Sequence, residues 1–289
     1  ESPRHWRRSA ERRPRQHSPT SLTMPIRGSP RQPERSSTLA ISGSVDGMFR
    51  WAHVFIDVPA DRVAVATEFW SAATGYGIGD PWPSHPEFVS LLPRSGSRYV
   101  HLQRIDGAPR THLDFPSADL DADTARLVGL GARVIGPRGL WQTLESPGGL
   151  PFCIVDEAVP AAVPVSARWA DGNRSRVCQV CIDAPPSLHA AECEFWAAAT
   201  GWRERDSPYD PEFASLLPPE SSPVQLLLQR LDDNGGAVRA HIDLGCDDIH
   251  AEAARLVDIG ATVVTREEEW IVLRDPVGQE FCSTARRPD

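Results

Sequence analysis

The chain carries nearly the same sequence twice, so whatever it folds into is built from two like halves. Residues 68–75, Glu-Phe-Trp-Ser-Ala-Ala-Thr-Gly, return at 194–201 as Glu-Phe-Trp-Ala-Ala-Ala-Thr-Gly. Residues 86–93, Pro-Glu-Phe-Val-Ser-Leu-Leu-Pro, return at 211–218 with Ala214 in place of Val89. Leu102-Gln103-Arg104 matches Leu228-Gln229-Arg230, and His112-Leu113-Asp114 matches His241-Ile242-Asp243. Trp141 and Cys153 return as Trp270 and Cys282. Matches that recur in the same order, 125 to 129 residues apart over about a hundred residues, are those of a duplicated unit. Positions where the copies differ therefore become informative, and a site assembled from two related halves becomes conceivable.

At 289 residues the chain has room for two domains with a sizeable core. No apolar run reaches the roughly 18–20 residues that span a bilayer, which excludes a membrane-spanning protein and leads us to expect a cytoplasmic one. The net charge of −9 is uneven, because the first 47 residues hold nine arginines and the body is correspondingly more acidic. An acidic body disfavours nucleic acid, whose phosphates need a positive surface. The basic residues are all arginine, a mark of GC-rich coding. Six cysteines in a chain this long are not a disulfide framework. Cys153 and Cys282 read as small buried hydrophobes on apolar strands. Cys178-x-x-Cys181 lacks a second such pair, and on a strand its two thiols face opposite sides.

Residues 1–47, rich in Arg, Ser and Pro without apolar periodicity, have the composition of a disordered tail. With Met48 just before the first repeat, a mis-called start or an upstream read-through is the expected explanation. Each copy then reads as two β-α-β-β-β units. In the first copy, strand Trp51–Val58 leads into helix Asp61–Ala73, which Thr74-Gly75 ends, and strands Glu87–Leu92 and Tyr99–Arg104 follow. The next unit runs from strand Thr111–Phe115 through helix Asp119–Leu130 to strands Arg133–Ile135, Leu140–Glu145 and Pro151–Val155. The second copy repeats the order from Val177 to Ser283, starting helices at Leu188 and Ile249, the latter with the acids Asp247 and Asp248 and His250 at its positive end. Domains are expected at 48–157 and 172–286, with the Ala/Pro/Val-rich stretch 158–171 as linker.

With Phe-Trp-x-Ala-Ala-Thr-Gly, Leu-Gln-Arg, His-Leu/Ile-Asp, Leu-Gly-Ala and Asp275-Pro-Val-Gly-Gln-Glu-Phe-Cys282 in place, the chain resembles the vicinal-oxygen-chelate superfamily. That superfamily includes glyoxalase I, bleomycin-resistance proteins, fosfomycin-resistance enzymes and extradiol dioxygenases, and the likeness is strongest to the glyoxalase-like domains common in actinobacteria. It implies an α+β fold of tandem domains, each of two βαβββ units curled into an open barrel. It implies a single divalent ion (Fe, Mn, Ni or Zn) held by residues pointing inward from first and last strands. Carried over, those positions are His53, His112 and Pro151 in the first repeat and Gln179, His241 and Glu280 in the second, with Gln103 and Gln229 as further oxygen ligands. Neither repeat alone supplies two histidines and an acid. If barrels form across repeats, as they do between copies in some relatives, His53, His241 and Glu280 complete the set with Gln103 as fourth ligand.

Against this stands a plainer reading, in which His112 and His241 hydrogen-bond backbone at a strand opening and His53 is a core histidine. Trp70 and Trp196 lie on the apolar helix face and belong to the core. Trp141 and Trp270 would line a barrel and stack on a ligand. Arg104 and Arg230 would clamp an anionic substrate or pair on the surface. Trp82, His85 and Tyr209 are expected in loops at the cavity mouth. The enzyme reading is a metal-dependent lyase, isomerase or dioxygenase acting on a small molecule with vicinal oxygens, the ion serving as Lewis acid, with no evident general base. The alternative is a binding protein of the bleomycin-resistance type that sequesters a small hydrophobic or aromatic molecule without metal, and a third is a structural or regulatory partner. The partner in the first two cases is a small-molecule ligand, and the chain is expected as a monomer with an internal pseudo-dimer or as a homodimer.

Overall fold

The structure is a computed structural model and describes residues 49–206 and 212–289; the tail 1–47 and Tyr209 lie outside the described residues. The first repeat runs β1 (His53–Pro59), α1 (Val63–Thr74), β2 (Gly77–Trp82), β3 (His85–Leu92) and β4 (Val100–Ile105). Its second unit is β5 (Arg110–Ser117), α2 (Leu120–Gly129), β6 (Arg133–Val134), β7 (Trp141–Glu145) and β8 (Pro151–Asp156). After β9 (Ala167–Arg168) come β10 (Arg174–Ala184), α3 (Pro186–Thr200), β11 (Arg203–Asp206), β12 (Phe213–Leu217) and β13 (Gln225–Arg230). The last unit is β14 (Arg239–Cys246), α4 (Ile249–Asp258), β15 (Thr262–Arg266), β16 (Trp270–Arg274) and β17 (Glu280–Thr284).

The local chemistry explains the helix ends. Gly75 and Gly201 close α1 and α3 in the left-handed region, at φ 70° and 68°, each donating its N–H back to the helix. A side chain on Gly75 would also meet the Trp169 ring at 3.1 Å. Asp119 and Asp248 cap α2 and α4, each accepting two backbone N–H groups. Trp70 and Trp196 are fully buried, as their place on the apolar helix face requires.

Each repeat makes one sheet. The strand orders are β2-β3-β4-β1-β5-β8-β7-β6 and β11-β12-β13-β10-β14-β17-β16-β15. The two units of a repeat meet where β1 pairs antiparallel with β5, and β10 with β14. Pairing is thus within repeats, not across them. The expected cross-repeat barrel does not form, because the central seam joins consecutive units. The sequence also passed over β2 and β11. Gly77, Gly79 and Pro81 mask β2, whose pairing with β3 breaks register twice, so Trp82 and His85 stand on a hairpin instead of a free loop.

The repeats do meet, through their helices. Phe69 and Trp70 of α1 pack on Phe281 of β17, and Phe195 and Trp196 of α3 pack on Phe152 of β8. Arg255 of α4 donates to the carbonyls of Ala72 and Ala73, and Arg126 of α2 to those of Ala198 and Ala199. Each arginine thereby satisfies carbonyls at the C-terminus of the other repeat's helix. One apolar core runs through both repeats and leaves the concave face of each sheet open.

Candidate functional site

On the concave face of the first repeat, alternate residues of the four central strands converge. β1 contributes His53, Phe55 and Asp57, and β5 contributes Arg110, His112 and Asp114. β4 adds His101 and Gln103, and β8 adds Cys153. Asp57 is fully buried and pairs with Arg110 Nε at 2.7 Å. The His112 ring lies between two carboxylates, with Nδ1 2.9 Å from Asp57 and Nε2 3.4 Å from Asp114. The Asp57–His112 contact is an ion pair outside hydrogen-bond geometry. Burial opposes charge on His112, but Asp57 and Asp114 outweigh it and raise the imidazolium to about 10. Donor atoms of His112, Asp114 and Cys153 all lie within 4.8 Å of one another.

Above this floor stands a second pair of imidazoles. His53 Nδ1 is 3.0 Å from His101 Nε2, and His101 Nδ1 is 3.0 Å from Ser90 Oγ, which also accepts from Trp82 Nε1. Burial lowers His53 to about 4 and holds His101 well below the ordinary range, so both rings are neutral near pH 7. With Nδ1 engaged, His53 Nε2 has no hydrogen bond and lies 3.7 Å from Glu157. The cavity over these groups has a volume of about 530 Å³ and walls of Phe55, Trp82, Phe88 and Trp141.

The second repeat reproduces the floor. His241 Nδ1 is 3.2 Å from Asp183, and Nε2 is 3.3 Å from Asp243. Burial again opposes its charge, and Asp183 foremost among its acidic neighbours carries the ring well above the ordinary range. His241, Asp243 and Cys282 form a second three-donor group. Gln179, in the place of His53, donates to Asp243 and accepts from Gln225. This cavity is smaller, about 350 Å³.

The structure separates most of the residues that the sequence grouped. His53 and Gln103 line the first cavity, and His241 lines the second. Glu280 pairs with Arg274 at 2.7 Å and lines neither. His53, His241 and Glu280 are therefore not one site, because each curved sheet is built from the units of its own repeat. Trp141 and Trp270 do line the first and second cavities. Arg104 and Arg230 are exposed and line neither, since each sits one residue beyond the inward glutamine. Asp57, Asp114, Asp183, Asp243 and His101 were missed. The aspartates had a signal, for Ile-Asp and His-x-Asp recur in both copies; His101, matched by Leu227, had none.

The model of the family described as "Glyoxalase-like domain" matches this chain twice, over residues 53–155 and 179–284. The chain belongs to that family. A search of curated proteins found no match. Among solved structures, this glyoxalase-like chain is similar to 2,2',3-trihydroxybiphenyl 1,2-dioxygenase from Sphingomonas wittichii, at 13% identity over 82% of this chain and 90% of that one, with a TM-score of 0.56. It is similar also to the 2,3-dioxygenase LapB from Pseudomonas, at 15% identity over 83% and 93%, TM-score 0.54. A triple mutant of 4-hydroxymandelate synthase from Streptomyces coelicolor gives 18% identity over 83% and 93%, TM-score 0.51. At these identities the likeness is one of fold. No helix among the described residues is long and apolar enough to cross a membrane.

Proposed function

We propose that this glyoxalase-like protein is a divalent-metal-dependent enzyme that acts, as a dioxygenase, lyase or isomerase, on a small aromatic molecule with vicinal oxygens in the first-repeat cavity. The carrying observation is that an imidazole, a carboxylate and a thiol within 4.8 Å of one another lie beneath an aromatic-walled cavity. Asp114 Oδ1 is buried and faces His112 Nε2 at 3.4 Å, where a bound ion would take the place of the imidazole proton. His112, Asp114 and Cys153 would hold the ion, and Asp57 on the far ring nitrogen of His112 supplies the orienting carboxylate that such imidazoles use. Bound there, the metal would act as a Lewis acid toward the ligand's oxygens. Phe88 and Trp141, edge-to-face at 6.0 Å, offer faces to a planar ring. His53, neutral and turned to His101 through Nδ1, would present Nε2 to the ligand as a hydrogen-bonding group, and burial makes it a weak base there.

The test is reconstitution of the purified chain with Mn, Fe, Ni or Zn, followed by titration with catechol as the simplest aromatic probe. Metal-dependent catechol binding that is lost in Asp114→Asn supports the proposal, whereas binding of no metal by the first repeat ends it. One observation favours a metal-free binding protein instead: Arg110 and His112 already balance the charges of Asp57 and Asp114. Catechol affinity unchanged by a chelator would select that reading.

A further inference from the structure

We infer that Trp82, Ser90 and His101 are positioning residues that fix His53 as a hydrogen-bond donor to the first-repeat cavity, which thereby selects an aromatic ligand bearing a carboxylate. The inference rests on the reading of that cavity as a ligand site and holds with or without a bound metal. The four side chains belong to β2, β3, β4 and β1, which are successive strands of the sheet. Ser90 stands directly opposite His101 in register. Ser90, His101 and His53 are buried.

The direction of the chain follows from what each atom can donate. An indole N–H only donates, so Ser90 Oγ accepts from Trp82 Nε1 at 2.9 Å. The other contact of Ser90 Oγ is His101 Nδ1, at 3.0 Å. Were that nitrogen also a donor, the buried hydroxyl would have no acceptor for its own proton, a costly state. Ser90 therefore donates to His101 Nδ1, and the His101 proton sits on Nε2. That nitrogen donates in turn to His53 Nδ1 at 3.0 Å, which leaves the His53 proton on Nε2. Each ring accepts through one nitrogen, so both are neutral on geometry alone.

The chain ends in an N–H that is buried without a hydrogen bond. Its donors all point the same way, and each polarises the next. The carboxylate of Glu157 stands beside His53 Nε2 at 3.7 Å, beyond hydrogen-bond reach, with its side chain partly exposed. A ligand carboxylate placed closer would satisfy the donor. Arg98, 5.8 Å over the Trp82 ring, adds a positive charge to the same cavity, while His112 balances Asp114. The device is confined to the first repeat. Ser90 returns as Ser215, but His53 and His101 return as Gln179 and Leu227.

Measurements on the full chain with a chelator present keep the outcome separate from that of metal binding. Long-range proton–nitrogen spectra are expected to show His53 and His101 both protonated on Nε2 and bare on Nδ1. Calorimetry is expected to show benzoate bound about tenfold or more tightly than benzamide, its neutral isostere. Ser90→Ala should erase that preference and the fixed tautomers, and Ser90→Thr, which restores the hydroxyl, should recover both. The wild-type spectrum tests the chain even where a variant fails to fold. A His53 proton on Nδ1 would overturn the inference, as would benzoate bound no better than benzamide, or a preference that persists in Ser90→Ala. Loss of this selectivity beside intact metal-dependent catechol binding would strike this inference alone.

Discussion

Asp57 decides the state of His112. A buried imidazolium survives at 6% exposure only because carboxylates flank it, and removal of one leaves an uncompensated charge. Asp57→Asn should lower the His112 pKa from about 10 and cost about 3–5 kcal/mol of stability, read by imidazole NMR and denaturant titration. In the metal-free protein the pH dependence has two limbs. His112 is raised above the ordinary value near 6.5, so its contribution is complete below that pH and lost as the pH rises through about 10. His53 is depressed, so its contribution is present above about 6.5 and lost as the pH falls through about 4. NMR resonances of His53 and His112 that both titrate near 6.5 would refute this pair of environments.

Among the elements, the helix termini are the parts whose chemistry was legible before the fold. Thr-Gly at residues 74–75 and 200–201, and aspartates ahead of α2 and α4, mark caps by residue type alone. Gly75→Ala should destabilise by about 1–2 kcal/mol for its left-handed backbone, with more lost against the Trp169 ring. Asp119→Ala, which orphans two N–H groups, should cost about 1 kcal/mol. Both are read as shifts in melting temperature. β2 was illegible because Gly79 and Pro81 carry no strand propensity, and only its pairing with β3 makes it a strand. The inward aspartates were passed over for a related reason. On a strand, a charge that faces a cavity and a charge that faces solvent share one period, and only the sheet order tells them apart.

The duplication, read at the scale of the molecule, predicted the number and order of the units but not their partners. Consecutive units pair through β1 with β5 and β10 with β14, which moves His53 and His241 into separate cavities. What crosses between repeats is the core. Trp70 donates to Asp275 and packs edge-on against Phe281, both in the other copy. Trp70→Ala should therefore cost about 3–5 kcal/mol and loosen the second repeat as well as the first, visible as lost hydrogen-exchange protection in β17. The copies agree at Asp57/Asp183, His112/His241, Asp114/Asp243 and Cys153/Cys282, and they differ above that floor. The first has His53, Phe55 and His101 where the second has Gln179, Cys181 and Leu227. That difference is the reason we propose the first repeat as the place of the aromatic ligand.

The most direct test of that assignment is calorimetric titration of the metal-reconstituted full chain with catechol, in wild type, Asp114→Asn and Asp243→Asn. Binding that is abolished by Asp114→Asn and unchanged by Asp243→Asn is the predicted result. Binding that persists in Asp114→Asn, or is lost only in Asp243→Asn, would contradict it.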